Sequence, residues 1–254
     1  MAGTDHRRES LAGGPVIVLV RPQLGENIGA AARAMMNFGL GELRLVAPRD
    51  PFPNRQATAM ASGATAILDA ARLFATTEEA VADLHLVLAT TARERAIRKH
   101  ANDPAEAAAK LRGAIAGGAR AGILFGPERA GLANEDIALA REIVAIPANP
   151  AFASLNLAQA VLILGYEWHR GEAPAAPPAA EPPASTAELV GFFEHLEGAL
   201  DRAGFLKPPE KRPSMVQNLR ALFQRAALSG QEVRTLRGVV SAFERLAGRE
   251  PGVD

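Results

Sequence analysis

The chain contains no cysteine. Disulfides and any chemistry that runs through a thiolate are therefore excluded. It also lacks net charge, because 28 Lys and Arg balance 28 Asp and Glu. A uniformly basic nucleic-acid binder is excluded on that ground, although a local basic patch is not. No apolar run is long enough to span a bilayer, and residues 1–14 (MAGTDHRRESLAGG) carry no apolar signal core and read as a flexible lead-in. The five histidines are scattered, none at a metal-ligand spacing, so no metal is expected. Neither a Walker loop nor a GxGxxG fingerprint occurs, which leaves ordinary NTP or NAD binding unsupported. These absences point to a cytoplasmic protein without membrane contact.

What is present is 254 residues, 48% of them apolar, enough for one substantial core and a smaller unit. Residues 15–170 alternate short β-branched runs with amphipathic stretches, the pattern of an α/β domain with a mainly parallel sheet. The runs Pro15–Val20, Glu42–Ala47, Leu84–Ala89, Ile123–Phe125 and Ile143–Ile146 read as strands. Between them, helices are expected over Ile28–Phe38 with Asn27 as N-cap, over Ala57–Phe74 with a break near Gly63, over Thr77–Ala82 and over Pro104–Ala116. Asn134 is the expected cap of a short polar helix, and Ser154 that of a long apolar helix from Leu155 to His169. Residues 171–185, with five prolines and no aromatic, read as an extended linker. A helical extension is expected over 186–247, with helices at 186–203, 214–227 and 231–247, and a tail at 248–254.

Three features invite a functional reading. Gly29, Arg33 and Asn37 form a polar stripe with a glycine gap on the first helix, where a partner could approach the backbone closely. Arg33 is read either as a solvated helix residue or as a functional cation. The third strand exits into TTARERAIRKH, which holds Arg93, Arg95, Arg98 and Lys99. That loop is either solvated or a phosphate contact at the carboxyl end of a strand, where α/β domains bind ligands. From Phe205 to Val240 seven basic residues, Arg220 and Arg225 among them, face two acidic ones. The alternatives there are an anionic partner and a helical bundle with solvated arginines.

Three segments together resemble the SpoU/TrmH branch of the SPOUT RNA methyltransferases. They are Asn27-Ile-Gly-Ala-Ala-Ala-Arg33, Leu124-Phe-Gly-Pro-Glu-Arg-Ala-Gly-Leu132 and Ile146-Pro-Ala-Asn-Pro-Ala-Phe-Ala-Ser-Leu-Asn-Leu157. Their order and spacing match, and the resemblance covers Pro15 to Trp168. The segments Thr90-Thr-Ala-Arg93 and QNLRALFQRAALSGQEVRTLRG look like the TrmJ type, which methylates the ribose 2′-hydroxyl of C or U at tRNA position 32. The resemblance implies a C-terminal trefoil knot, S-adenosylmethionine as cofactor, tRNA as substrate and a homodimer whose site is shared between chains. Carried over residue by residue, it implies cofactor contacts at Thr90, Thr91, Ala92, Gly126, Ile146, Ser154 and Leu155. It places Arg33, Asn27, Glu128, Ser154 and Asn156 in the catalytic machinery. Ala153 stands where many relatives carry a hydroxyl residue, and the basic loop diverges after Arg93. The same chemistry on another tRNA position or on rRNA stays open, as does a non-catalytic RNA-binding protein of this fold.

Overall fold

The computed structural model describes residues 13–91, 99–171 and 183–247. The expected lead-in up to residue 12, Ala92, Arg93, Arg95 and Arg98, most of the linker and the tail lie outside the described residues.

A seven-stranded, wholly parallel sheet forms the centre. Its strands are β1 (Val16–Val20), β2 (Leu43–Val46), β3 (Arg72–Phe74), β4 (Leu86–Thr90), β5 (Ala101–Asn102), β6 (Ala121–Phe125) and β7 (Glu142–Val144), in the spatial order β3-β2-β1-β6-β4-β7-β5. The central strands β1, β2 and β6 are buried along their full length, as a parallel sheet covered on both faces requires. One face packs under α1 (Gly25–Asn37), α2 (Arg55–Ala61), α3 (Thr65–Asp69), α5 (Pro104–Ala116) and α7 (Leu157–Arg170), through a core that includes Leu19, Met35, Leu45, Phe125 and Val161. The other face packs under α4 (Thr77–Val81) and α6 (Asn134–Leu139), through Val18, Val20, Leu124 and Ile137.

Arg44, in the middle of β2, is 1% exposed. Its guanidinium donates to Glu42, to Asp83 at 2.9 Å and to the Ala80 carbonyl at 2.7 Å, so each buried N–H group finds an acceptor. The hydrogen bonds from Arg44 hold the Asp83 carboxyl below its usual range.

Several elements depart from the sequence reading. The stretch expected as helical over Ala57–Phe74 does break near Gly63, into two short helices, but its last three residues form an edge strand. Ser62 (φ 47°) and Gly63 (φ 98°) are both left-handed and end the first helix, and Arg72–Phe74 then pairs with β2. α1 starts at Gly25, so Asn27 lies inside it rather than at its cap. Asn134 is the first residue of α6, and the carboxylate of Asp136 accepts the Ala133 N–H at 2.9 Å. α7 is capped by Asn156 rather than Ser154. The Asn156 Oδ1 accepts the N–H groups of Ala158 (2.9 Å) and Gln159 (3.3 Å), and Gln159 closes a capping box.

The extension consists of α8 (Thr186–Arg202), α9 (Arg212–Arg225) and α10 (Gly230–Ala247) around Phe192, Phe193, Val233 and Val240, with the Phe192 and Phe223 rings edge-to-face at 4.9 Å. Leu222 of α9 is left 52% exposed. The packed unit begins before residue 186: Pro183 bridges to Ser229, and Ala184 is buried with its N–H on the Leu228 carbonyl at 2.7 Å. Thr186 and Ala187 donate to the carbonyls of Leu84 and Ala82, which seats α8 against the sheet domain just ahead of β4.

Candidate functional site

The strands β6, β4 and β7 are neighbours and parallel, so their carboxyl ends open on the same side of the sheet. The loops that leave them enclose a cavity of about 330 Å³. Thr90 and Thr91 line it from β4, the turn from Gly126 to Gly131 from β6, and Ile146 with Ala153, Ser154 and Leu155 from the loop after β7. Phe125, Val144, Leu157 and Ala160 supply apolar floor and wall. The volume sits at the small end of the range for cofactor sites, and the lining is largely apolar with a few polar groups.

Local chemistry explains the walls. A Cβ on Gly126 would stand 2.2 Å from the Leu132 nitrogen, so only glycine permits this turn. The turn is closed by the Gly131 N–H on the Pro127 carbonyl at 2.8 Å. Thr90 donates its hydroxyl to the Leu124 carbonyl at 2.9 Å, joining β4 to β6 at the mouth, and the Thr91 N–H donates to the Val144 carbonyl at 3.0 Å. Pro150–Phe152 forms a single 3₁₀ turn, with Asn149 accepting the Ala151 N–H, before the chain enters α7.

The polar residues of the three motifs meet in one hydrogen-bonded chain. Glu128 accepts the Gln23 N–H (2.9 Å), the Leu24 N–H (3.3 Å) and the Asn27 side-chain amide (2.6 Å). Asn27 in turn accepts from the Asn156 amide at 2.8 Å, and Asn156 caps α7. The carboxylate thus takes two N–H groups just ahead of α1, a role no nearby side chain fills, and the chain ties the loop after β1, the loop after β6 and the start of α7 together. Asn27, Glu128 and Asn156 therefore brace the cavity, with Glu128 also on its lining.

Among the residues expected to touch the cofactor, Thr90, Thr91, Gly126, Ile146, Ser154 and Leu155 line this cavity, while Ala92 lies outside the described residues. Ser154 is exposed, and its hydroxyl engages no described residue. Arg129, which the sequence reading passed over, is an exposed cation on the lining. Its position inside the second motif was the only available signal. Arg33 is exposed, forms no ion pair with a described residue, and does not line the cavity within one chain. The glycine gap beside it is filled from within: a Cβ on Gly29 would stand 2.1 Å from the Ala57 carbonyl oxygen, so α2 occupies the space.

Two cations expected on phosphate are engaged elsewhere. Lys99 turns inward and donates to the carbonyls of Ala138 and Ala140 and to Gln224 of α9. Burial, together with the nearby Arg220, pulls its pKa down to about 8. Arg220 forms a two-pronged pair with Glu197 at 2.7 and 3.2 Å and lies over the Phe193 ring. Arg225 is exposed. Among the described residues, no group of three or more His, Asp or Glu could hold a metal ion, and no helix is long and apolar enough to cross a membrane.

Comparison with known proteins accounts for both parts of the chain. Residues 14–166 match the SpoU rRNA Methylase family, and residues 187–252 match the C-terminal domain of the tRNA methyltransferase TrmJ. A tRNA (cytidine/uridine/adenosine-2′-O-)-methyltransferase TrmJ of Pseudomonas aeruginosa is 41% identical, over 91% of this chain and 94% of that protein. The tRNA (cytidine/uridine-2′-O-)-methyltransferase TrmJ of Klebsiella pneumoniae is 38% identical, over 90% and 96%. The crystal structure of TrmJ from Z. mobilis superimposes with a TM-score of 0.83 at 50% identity, over 91% of this chain and 100% of that one. The SpoU methyltransferase AviRb from Streptomyces viridochromogenes, in complex with AdoMet, shares the fold at a TM-score of 0.50 and 19% identity.

Proposed function

This chain belongs to the SpoU methylase family and ends in a TrmJ C-terminal domain, and we propose that it transfers a methyl group from S-adenosylmethionine to the ribose 2′-hydroxyl of C or U at position 32 of tRNA. The observation that carries this reading is the cavity at the ends of β6, β4 and β7, braced by polar residues from all three family motifs. The residues present fit the cofactor. Phe125, Ile146, Leu155 and Leu157 offer apolar surface for a purine, and the tight turn at Gly126 brings main chain to the wall. When bound, the cofactor supplies an electrophilic methyl group, and the reaction yields a ribose methyl ether, S-adenosylhomocysteine and a proton.

The 2′-hydroxyl is a weak nucleophile, so alignment and stabilisation of the developing alkoxide carry the rate. A guanidinium is a poor base, because its charge is delocalised over the whole planar group; Arg33 therefore does not take up the proton. It acts instead as a fork that clamps the neighbouring phosphate and favours negative charge on the attacking oxygen. Ser154, with its hydroxyl free on the lining, positions the ribose or the cofactor.

Because Arg33 lies off the cavity of its own chain, the working site is completed by a second copy. The exposed Leu162 and Tyr166 of α7, with the exposed Phe152 just before it, support an apolar face for that homodimer. On the same reading the chain around the cavity closes as a trefoil knot, and the protein works in the cytoplasm, where tRNA is. The described part of the basic loop gives no phosphate contact at Lys99. Besides Arg33, the residues Arg93, Arg95, Arg98, Arg129 and Arg225 are cations available to meet tRNA, and their contribution falls with salt.

The deciding experiment is transfer of labelled methyl groups to unmodified total tRNA and, in parallel, to rRNA, with the product nucleotide mapped. A 2′-O-methyl mark at position 32, abolished in folded Arg33→Ala and strongly reduced in Arg33→Lys, is the expected result. A mark elsewhere moves the substrate to another tRNA position or to rRNA. Cofactor binding with no transfer to any RNA overturns the enzymatic reading.

A further inference from the structure

The short helix α6 joins the two walls of the cavity. Upstream of it lies the turn Gly126–Gly131, and downstream lie β7 and the Ile146 loop. Its amino end is fixed by Asp136, which accepts from Arg21, Thr77 and the Ala133 N–H. Its carboxyl end is held by a different set of residues. The Ala138 carbonyl accepts the Gln224 amide at 2.8 Å and the Lys99 amine at 3.3 Å, the Ala140 carbonyl accepts the Lys99 amine, and Lys99 also donates to the Gln224 oxygen at 2.7 Å.

Gln224 is the most deeply buried side chain of α9. A helix docked only for its apolar area would bury a leucine there, yet Leu222 of the same helix is exposed. Both ends of the Gln224 amide are used, one toward α6 and one toward Lys99, so the contact fixes direction as well as proximity. A helix of only six residues between two ligand loops has few hydrogen bonds of its own, so outside contacts set its place, and small displacements of a wall change how well a ligand is held.

We propose that Gln224 is a positioning residue through which the helical extension sets the separation of the two cavity walls, and with it the affinity for the cofactor. This rests on the reading of the cavity as the S-adenosylmethionine site. The extension then acts on the cofactor from behind, through α6, without touching it.

The test is calorimetric titration of S-adenosylmethionine into the full chain, with tRNA affinity and thermal midpoint measured alongside. Gln224→Met removes both hydrogen bonds at nearly constant volume. It is expected to weaken cofactor binding at least fivefold, with tRNA affinity unchanged within twofold. Gln224→Glu keeps an acceptor for Lys99 and loses the donor to Ala138, so its affinity should fall between the two. Val240→Ala, in the core of the extension, should lower the thermal midpoint and leave cofactor affinity alone. A folded Gln224→Met variant that binds the cofactor within twofold of the wild type overturns the proposal and leaves Gln224 a docking contact. Should that variant fail to fold, a Gln224→Glu variant with unchanged affinity overturns it equally. A wild-type chain that does not bind the cofactor fails the reading of the cavity itself, and the wild-type titration separates that result from the others.

Discussion

Replacing Asn27 by aspartate tests whether the motif residues brace the cavity. The two side chains have nearly the same shape, so packing is unchanged. In the wild type the Asn27 amide donates to Glu128 at 2.6 Å and its oxygen accepts from Asn156 at 2.8 Å, and Asn27 is only 7% exposed. Asn27→Asp keeps the second bond and turns the first into a contact between two carboxylates. At an effective dielectric of about 20, two charges about 4 Å apart repel by roughly 4 kcal/mol. Loss of a charge-assisted hydrogen bond adds about 1.5–3 kcal/mol. Asn27→Ala loses both bonds and gains no repulsion, so its cost is about 2–4.5 kcal/mol. The aspartate variant should therefore be less stable than the alanine variant at pH 8, in urea denaturation followed by circular dichroism. The like-charged pair has a raised pKa in the folded state, so its penalty is full above that pKa and is relieved as the pH falls through it toward 5. The gap between the two variants should close over that interval. An Asn27→Asp protein as stable as the wild type at pH 8, or a gap that ignores pH, would refute the bracing role.

Two glycines separate stability from binding. Gly126→Ala drives a Cβ to 2.2 Å from the Leu132 nitrogen on the cavity wall, so cofactor affinity should drop at least tenfold in a titration. Gly29→Ala meets the Ala57 carbonyl at 2.1 Å between α1 and α2, where no residue of α2 lines the cavity. It should cost about 2 kcal/mol or more in denaturant while the folded protein binds cofactor normally. Lys99 gives a pH signature. Its pKa is about 8 when folded and about 10.5 in the unfolded chain, so between those values the unfolded chain holds a proton that the folded chain has released, and stability rises with pH. Relative to Lys99→Met, the wild type should gain up to about 3 kcal/mol from pH 7 to 10.5. A pH-independent difference would show that the amine is solvated.

The central strands were legible because a strand buried on both faces must be apolar throughout, and Val16–Val20 and Ala121–Phe125 announce themselves in that way. The edge strands were not. Arg72–Phe74 is mostly exposed and only three residues long, and Ala101–Asn102 is shorter still, so neither carries a period to read. Asn27 and Ser154 both looked like caps because they are good capping residues beside apolar helices. What moved the true caps was distant in sequence. Glu128 arrives from more than 100 residues away to take the N–H groups of Gln23 and Leu24, which frees Asn27 to face Asn156. In the same way, Lys99 and Arg220 looked like surface cations because their acceptors, the end of α6 and Glu197, cannot be assigned from local pattern.

The site divides its polar residues into two kinds. Asn27, Glu128 and Asn156 spend their hydrogen bonds on one another and on main chain, so little donor or acceptor capacity remains for a ligand. Ser154 and Arg129 line the cavity without such commitments, and Arg33 stands apart and unpaired among the described residues. A loss of activity on changing the first group would thus report a cavity that has lost its shape, and should come with weaker cofactor binding. A loss on changing Arg33 should leave cofactor binding intact and strike the transfer step alone. Mixing Arg33→Ala chains with Gly126→Ala chains makes the division decisive. A dimer that shares its sites places the intact arginine of one chain against the intact cavity of the other, so the mixture should regain part of the activity that each variant lacks by itself. A mixture in which heterodimers form and no activity returns would put Arg33 back at the cavity of its own chain.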